Sequence, residues 1–139
     1  MNRRSFIKNS CLACAGMAGI SVLLDSCQPL PIVRAEINNN SLLVSKSGFT
    51  EKNNILIVRA PQLENDILLI RTSTNDYRAL LMQCTHQNNP LVATSKSLFC
   101  NSHGSSFSLE GKVQQGPAIK DLKTFKTEAQ KENVLIHLT

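Results

Sequence analysis

Two short clusters of this 139-residue chain could do chemistry: Cys84-Thr85-His86 and, after thirteen further residues, Cys100-Asn101-Ser102-His103. Together they offer two thiols and two imidazoles, spaced C-x-H and C-x-x-H. Each cluster is short enough to carry both ligands on one tight loop, and two such loops can close around a metal centre. Behind the second His stand Gly104, Ser105 and Ser106, small residues of the kind that a loop wrapped closely on a cofactor requires.

Two centres suit a Cys2His2 donor set. One is a tetrahedral zinc ion. The other is a [2Fe–2S] cluster with two Cys on one iron and two His on the other. A zinc finger groups its two Cys in one cluster and its two His in another, on a helix. Here each cluster holds one of each, so each loop can send one ligand to each iron.

That interleaving closely resembles the Rieske iron–sulfur family, whose pattern is C-x-H followed later by C-x-x-H-G-S. Gly116-Pro117-Ala118 resembles the family's proline loop, and Leu109-Glu110-Gly111-Lys112-Val113 the turn that precedes it. The likeness runs from about residue 55 to residue 138. It implies one [2Fe–2S] cluster per chain, with Cys84 and Cys100 as thiolates on one iron and His86 and His103 as neutral imidazoles on the other. It also implies that the two His lie near solvent, where loss of a proton from the unbound ring nitrogens couples to loss of an electron. Ser105 matches a Ser that donates a hydrogen bond to a bridging sulfur. Phe107 stands where high-potential members carry a Tyr and has no hydroxyl to donate. The extra Cys pair of those members falls at Asn88 or Asn89 and at Ser102, so their disulfide has no counterpart. Hydrogen bonds to the sulfurs favour the more negative, reduced state. The expected potential is therefore intermediate within the family's span of about −150 to +300 mV. Phe107 also fits a plain core role beneath the loop.

The elements that must hold these loops read as strands. Residues 41–45, 55–59, 67–71 and 77–82 are short, rich in Leu, Ile and Val, and bounded by Gly48, Pro61 and the turn cluster Ser73-Thr74-Asn75-Asp76. The run Ile67-Leu68-Leu69-Ile70 is apolar at every position and suits a strand covered on both faces. Residues 120–127 and 134–138 form the last two strands, around the polar hairpin 129–133. His137 alternates with Val134, Ile136 and Leu138 and is read as structural or exposed. No segment sustains a 3.6-residue period. The fold class is all-β: small antiparallel sheets in a sandwich or partly open barrel, with two ligand loops and the Gly-Pro loop around the cluster.

The N-terminus has a separate logic. Residues 1–27 join a charged start, Arg3, Arg4 and Lys8, to a 14-residue apolar run from 11 to 24. That run is shorter than the roughly 20 residues of a confident membrane span and fits an export signal. The paired arginines before Ser5-Phe6-Ile7-Lys8 resemble the twin-arginine signal, a route that carries folded cargo. An iron–sulfur protein assembled inside the cell needs such a route. Leu24-Asp25-Ser26-Cys27 resembles a lipobox with Cys27 as the lipid-bearing residue, although Asp25 departs from the pattern; an uncleaved anchor and simple cleavage are the other fates. Cys11 and Cys14 lie inside the apolar run and carry no redox reading, so no Cys pair is left for a disulfide. Residues 28–40, with Pro29, Pro31 and three Asn, read as a tether within which 32–37 pairs as an edge strand. The domain proper is expected over 41–139.

From residue 27 onward there are 12 basic and 9 acidic residues, a mild and scattered excess. No basic run argues for nucleic acid. The combined expectation is an exported, membrane-tethered protein that passes single electrons between a membrane donor and a redox partner. That partner is a quinol-oxidising complex, a molybdenum oxidase or a cytochrome. The alternatives are the ferredoxin component of an oxygenase and a zinc-stabilised binding module. On its own the chain is not read as an enzyme, for no acid, base or nucleophile stands outside the metal site.

Overall fold

The structure is a computed structural model and describes residues 29–139; the leader, with Cys27, lies outside the described residues. Twelve strands follow in chain order among them: β1 (Ile32–Arg34), β2 (Ile37–Asn38), β3 (Ser41–Ser45), β4 (Ile55–Arg59), β5 (Ile67–Arg71), β6 (Tyr77–Leu81), β7 (Val92–Ala93), β8 (Ser97–Phe99), β9 (Ser106–Ser108), β10 (Val113–Gln115), β11 (Thr124–Ala129) and β12 (Asn133–His137). The fold is nearly all-β, with one short 3-10 turn at Lys46–Gly48.

Eight strands form one sheet in the order β1-β4-β5-β6-β11-β12-β3-β2, and four form a second in the order β10-β9-β8-β7. β1 runs parallel to β4, while the other pairs are antiparallel. β1 and β2 occupy opposite edges of the large sheet, yet only two residues separate them. Three peptide steps reach at most about 11 Å. The large sheet must therefore curl until its edges nearly meet, which makes it a half-barrel. The tether thus supplies both edges, with Ala35 buried between them and its N–H donating to Arg59 O at 3.0 Å. Pairing begins at residue 32, within the stretch 32–37 expected to pair as an edge strand. Pro29 and Pro31 do not prevent this, because Pro31 needs only its carbonyl, which accepts from Ile57 N–H at 2.9 Å.

Alternation assigns the faces. In β3, Leu42 and Val44 are buried and Leu43 is out; in β12, Val134 and Ile136 are buried. These residues fill the barrel core with Leu56, Val58, Ile67, Leu69, Tyr77, Ala79 and Phe125. The other face of β4, β5 and β6 carries Ile55, Leu68, Ile70 and Leu80. They form a second core with Leu98 and Phe107 of the small sheet, and with Cys84 and Cys100. The unbroken apolar run in β5 is explained: all four residues are buried, two in each core. Each fully buried Leu or Ile contributes about 1.5–3 kcal/mol of transfer free energy.

The last hairpin is displaced from the sequence expectation. β11 starts at Thr124, not at 120, and its loop shrinks to residues 130–132. Leu122, read as part of the strand, lies before it, buried in the second core, with its N–H bonded to Gly111 O at 2.8 Å. The small sheet was not foreseen as strands at all.

Candidate metal centre

The two ligand loops share one backbone design. In the first, Cys84 N–H donates to Asn89 O at 2.8 Å and Cys84 O accepts from Asn88 N–H at 2.8 Å. In the second, Cys100 N–H donates to Ser105 O at 2.8 Å and Cys100 O accepts from Gly104 N–H at 3.0 Å. The residue four positions after each Cys takes a left-handed conformation, Asn88 at φ 59° and Gly104 at φ 82°. Gly adopts it freely, and Asn tolerates it better than most residues. β6 leads into the first loop, and an isolated bridge between Gln83 and Pro90 closes its base. β8 and β9 enclose the second as a hairpin.

These twin loops bring all four donor residues together, like with like. Cys84 and Cys100 are buried, at 1% and 2% exposure, and the Cys84 side chain acts directly on the Cys100 thiol. His86 and His103 are exposed, with ring centroids 5.0 Å apart and planes at 89°. Sulfur lies inside and imidazole outside. A donor set split into a Cys pair and a His pair suits a two-iron centre.

Burial pushes the Cys100 thiol up. The backbone N–H groups of Ser102 and His103, the Cys84 thiol and the Ser102 hydroxyl pull it down by more, so it lies below the usual thiol range. A thiolate is the form that binds metal. The position that could have borne a second cysteine, Ser102, thus supports Cys100 directly. Both described Cys are free thiols.

The third wall is the Gly-Pro loop, which carries a cis Gly116–Pro117 peptide. It is tied to both ligand loops. Ala118 N–H donates to Ser105 Oγ at 3.0 Å, and Thr85 Oγ1 donates to Lys120 O at 2.6 Å. Ser105 is fully buried, and accepting this bond leaves its hydroxyl proton to be given elsewhere. Phe107 is fully buried in the second core beneath the loops. The pinning roles of Ala118 and Thr85 were missed in the sequence. Thr85 stands inside the ligand motif, but nothing local says that its hydroxyl would reach 35 residues along the chain. His137 is half-buried, 3.7 Å from Glu128 and away from the centre.

The model of the Rieske [2Fe–2S] domain matches residues 43–126. Among solved structures, the chain is 25% identical to a plasma membrane Rieske protein of the cyanobacterium Synechocystis PCC 6803, with a TM-score of 0.55 over 67% of this chain and 94% of that one. A carbazole 1,9a-dioxygenase complex of oxygenase and ferredoxin contains a chain 19% identical, with a TM-score of 0.54 over 73% and 95%. Naphthalene 1,2-dioxygenase is 20% identical, with a TM-score of 0.57, and the match takes in 72% of this chain but only 26% of the dioxygenase chain. The last two likenesses are of fold alone. No protein of curated function matches the chain. The family match covers more than half of the chain and spans both twin loops, and so the chain belongs to the Rieske [2Fe–2S] domain family, whose cofactor is a [2Fe–2S] cluster.

Proposed function

We propose that this chain is an exported, membrane-tethered carrier of single electrons, with Cys84 and Cys100 on one iron of the cluster and His86 and His103 on the other. The observation that carries the reading is the graded donor set: a buried thiol pair behind an exposed imidazole pair. When bound, the cluster takes up and returns one electron at a time. The chain's own residues govern how readily. Ser102 and His103 offer N–H groups at the Cys100 sulfur, and Ser105 has a hydroxyl proton to donate. Such donors favour the reduced state. The exposed His rings give the electron its shortest way out and hold a proton at the unbound ring nitrogen. Phe107 supplies no donor, which supports an intermediate potential.

Export and tethering are supported by the paired arginines, the short apolar run and Cys27. The likeness to a plasma membrane Rieske protein points the same way. The partner then belongs to the membrane or to the exported space, as a quinol-oxidising complex, a molybdenum oxidase or a cytochrome would.

Electron paramagnetic resonance of the dithionite-reduced protein tests the cofactor reading. The expected result is a rhombic signal with a low average g value, lost in His86→Cys and in His103→Cys. A colourless, silent protein holding stoichiometric zinc would sink it. Cell fractionation tests the location. Arg3→Lys with Arg4→Lys should trap the protein inside the cell, and Cys27→Ser should remove lipid labelling. A wild type found in the cytosol would favour the oxygenase-ferredoxin reading.

A further inference from the structure

The two ligand loops and the Gly-Pro loop lie at one end of the molecule, and the chain enters at the other. β6 runs from Tyr77 toward Cys84, β8 from Ser97 toward Cys100 and β10 from Val113 toward Gly116. Register places the opposite end. Ile55 of β4 stands beside Ile70 of β5, and Ile70 beside Arg78 of β6. Arg71 pairs with Tyr77, and its N–H donates to Asn54 O at 2.8 Å. β1 is parallel to β4, with Ile32 beside Ile57 and Arg34 beside Arg59. The residues before Ile32 therefore continue toward the Asn54 end. They are held on that course: Pro31 O accepts from Ile57 N–H at 2.9 Å, and Leu30 packs against the second core. Seven residue steps separate Tyr77 from Cys84, which is about 23 Å of extended chain.

Cys27 cannot stray far from that entry point. Only Gln28 separates it from Pro29, and two peptide steps reach at most about 7 Å. A lipid on Cys27 would thus enter a bilayer beside the loops of the far end, residues 50–54, 72–76, 94–96 and 130–132. Those loops consist of Thr, Ser, Asn and Gln together with Glu51, Lys52, Asp76, Lys96, Lys131 and Glu132, so both signs of charge are present in equal number. The exposed large apolar residues of the described chain, Ile32, Leu43, Val92 and Ile119, all lie outside them. Polar loops of mixed charge suit the hydrated headgroup layer and have no apolar side chain to sink below it.

We propose that the lipid on Cys27 seats this far end against the headgroups of a bilayer, so that His86 and His103 face away from the membrane into water. The inference rests on the reading of Cys27 as the lipid-bearing residue, and deepens it by giving the tethered domain a direction. With Pro29 held beside the lipid, the centre can be aimed at the bilayer only if β1 peels from β4, at the loss of the Pro31 and Ala35 hydrogen bonds. The consequence is for the partner. A quinol dissolved in the bilayer stays in the layer from which the centre is turned away. A redox protein in the water, or one that stands up from the membrane, meets it.

The test uses the lipidated holoprotein in phosphatidylcholine vesicles, with and without a lipid that carries a nitroxide quencher on its headgroup. One fluorophore is attached at Ser73→Cys or at Lys131→Cys, both in far-end loops. In a third protein it is attached at Ile119→Cys, which is 89% exposed and flanked by the residues that tie the Gly-Pro loop to both ligand loops. The nitroxide lipid should remove most of the emission at the two far-end sites and leave that at Ile119→Cys nearly unchanged. Two far-end sites guard against a variant that fails to fold, and an unchanged cluster resonance shows that each labelled protein is intact. An Ile119→Cys label quenched as strongly as the far-end labels overturns the proposal alone, and so do far-end labels that stay bright on vesicle-bound protein. A protein that bears no lipid by mass spectrometry and stays off the vesicles overturns the tethering reading along with it.

Discussion

Ser105 has two tasks that one substitution can separate. Its oxygen accepts the Ala118 N–H, and its proton is available to a cluster sulfur. Ser105→Ala leaves a buried N–H unpaired, at a cost of about 1–3 kcal/mol. Chemical denaturation should read that loss. The same change should lower the midpoint potential by about 40 mV, the one-electron equivalent of a net hydrogen bond of about 1 kcal/mol. A potential that stays put would show that the hydroxyl never reached the cluster. Phe107→Tyr asks the converse question. Phe107 is fully buried in the core that also contains Cys84 and Cys100, so a new hydroxyl must find an acceptor there. The expected outcome is a potential raised by a similar amount. A lower melting temperature at unchanged potential would mean that the hydroxyl was buried without a partner.

At the level of elements, the turn between β9 and β10 joins the two sheets. Gly111 sits in it at φ 82°, and a Cβ there would stand 2.9 Å from Leu80 Cδ2. Its N–H bonds Ser108 O and its carbonyl accepts from Leu122 N–H, so it cannot simply turn away. Gly111→Ala should destabilise by more than about 1 kcal/mol, since left-handed strain and a clash act together. A melting temperature equal to wild type would refute that account. Asp121 closes the same region, bonding Lys112 Nζ at 2.7 Å and Val113 N–H at 3.0 Å. Lys112 first, and then the Val113 N–H, hold its carboxyl below the usual range. A depressed carboxyl stabilises the fold above its unfolded pKa of about 3.9, and the contribution is lost as pH falls through the folded value. Asp121→Asn should therefore melt below wild type at neutral pH and converge with it in acid. A gap of constant size across pH would contradict the linkage. The pair is exposed, so the gap should be small.

The described residues, 29–139, build two cores that share one wall. β5 puts Ile67 and Leu69 into the barrel and Leu68 and Ile70 under the metal loops. Leu68 and Leu69 are equally buried, at 0% exposure. Truncating either to Ala should cost about 2–5 kcal/mol. Their effects on the centre should differ, because only Leu68 packs in the core that contains Cys84 and Cys100. Iron per chain and the width of the resonance signal should suffer in Leu68→Ala and be largely spared in Leu69→Ala. Equal iron loss would mean that the two cores do not act separately. The arrangement gives the metal loops a floor as rigid as the barrel, which is how a site on loops keeps its geometry.

Local chemistry was legible in the residues themselves. The types and spacing of Cys84, His86, Cys100 and His103 mark a candidate donor set without any fold, because loops of this kind are short and their chemistry is carried by side-chain type. β3 to β6 were legible too, since each buries enough Leu, Ile or Val to show a period or an unbroken apolar run. Three features were settled only by the tertiary structure: the small sheet, the tether's place on both sheet edges and the pinned Gly-Pro loop. Strands of two or three residues, such as β7 to β10, are too short to display a period. Contacts such as Thr85 with Lys120 and Ser105 with Ala118 join residues far apart in the chain. A hydroxyl's partner at that distance is chosen by how the sheets curl and pack, and nothing in the neighbouring residues encodes it.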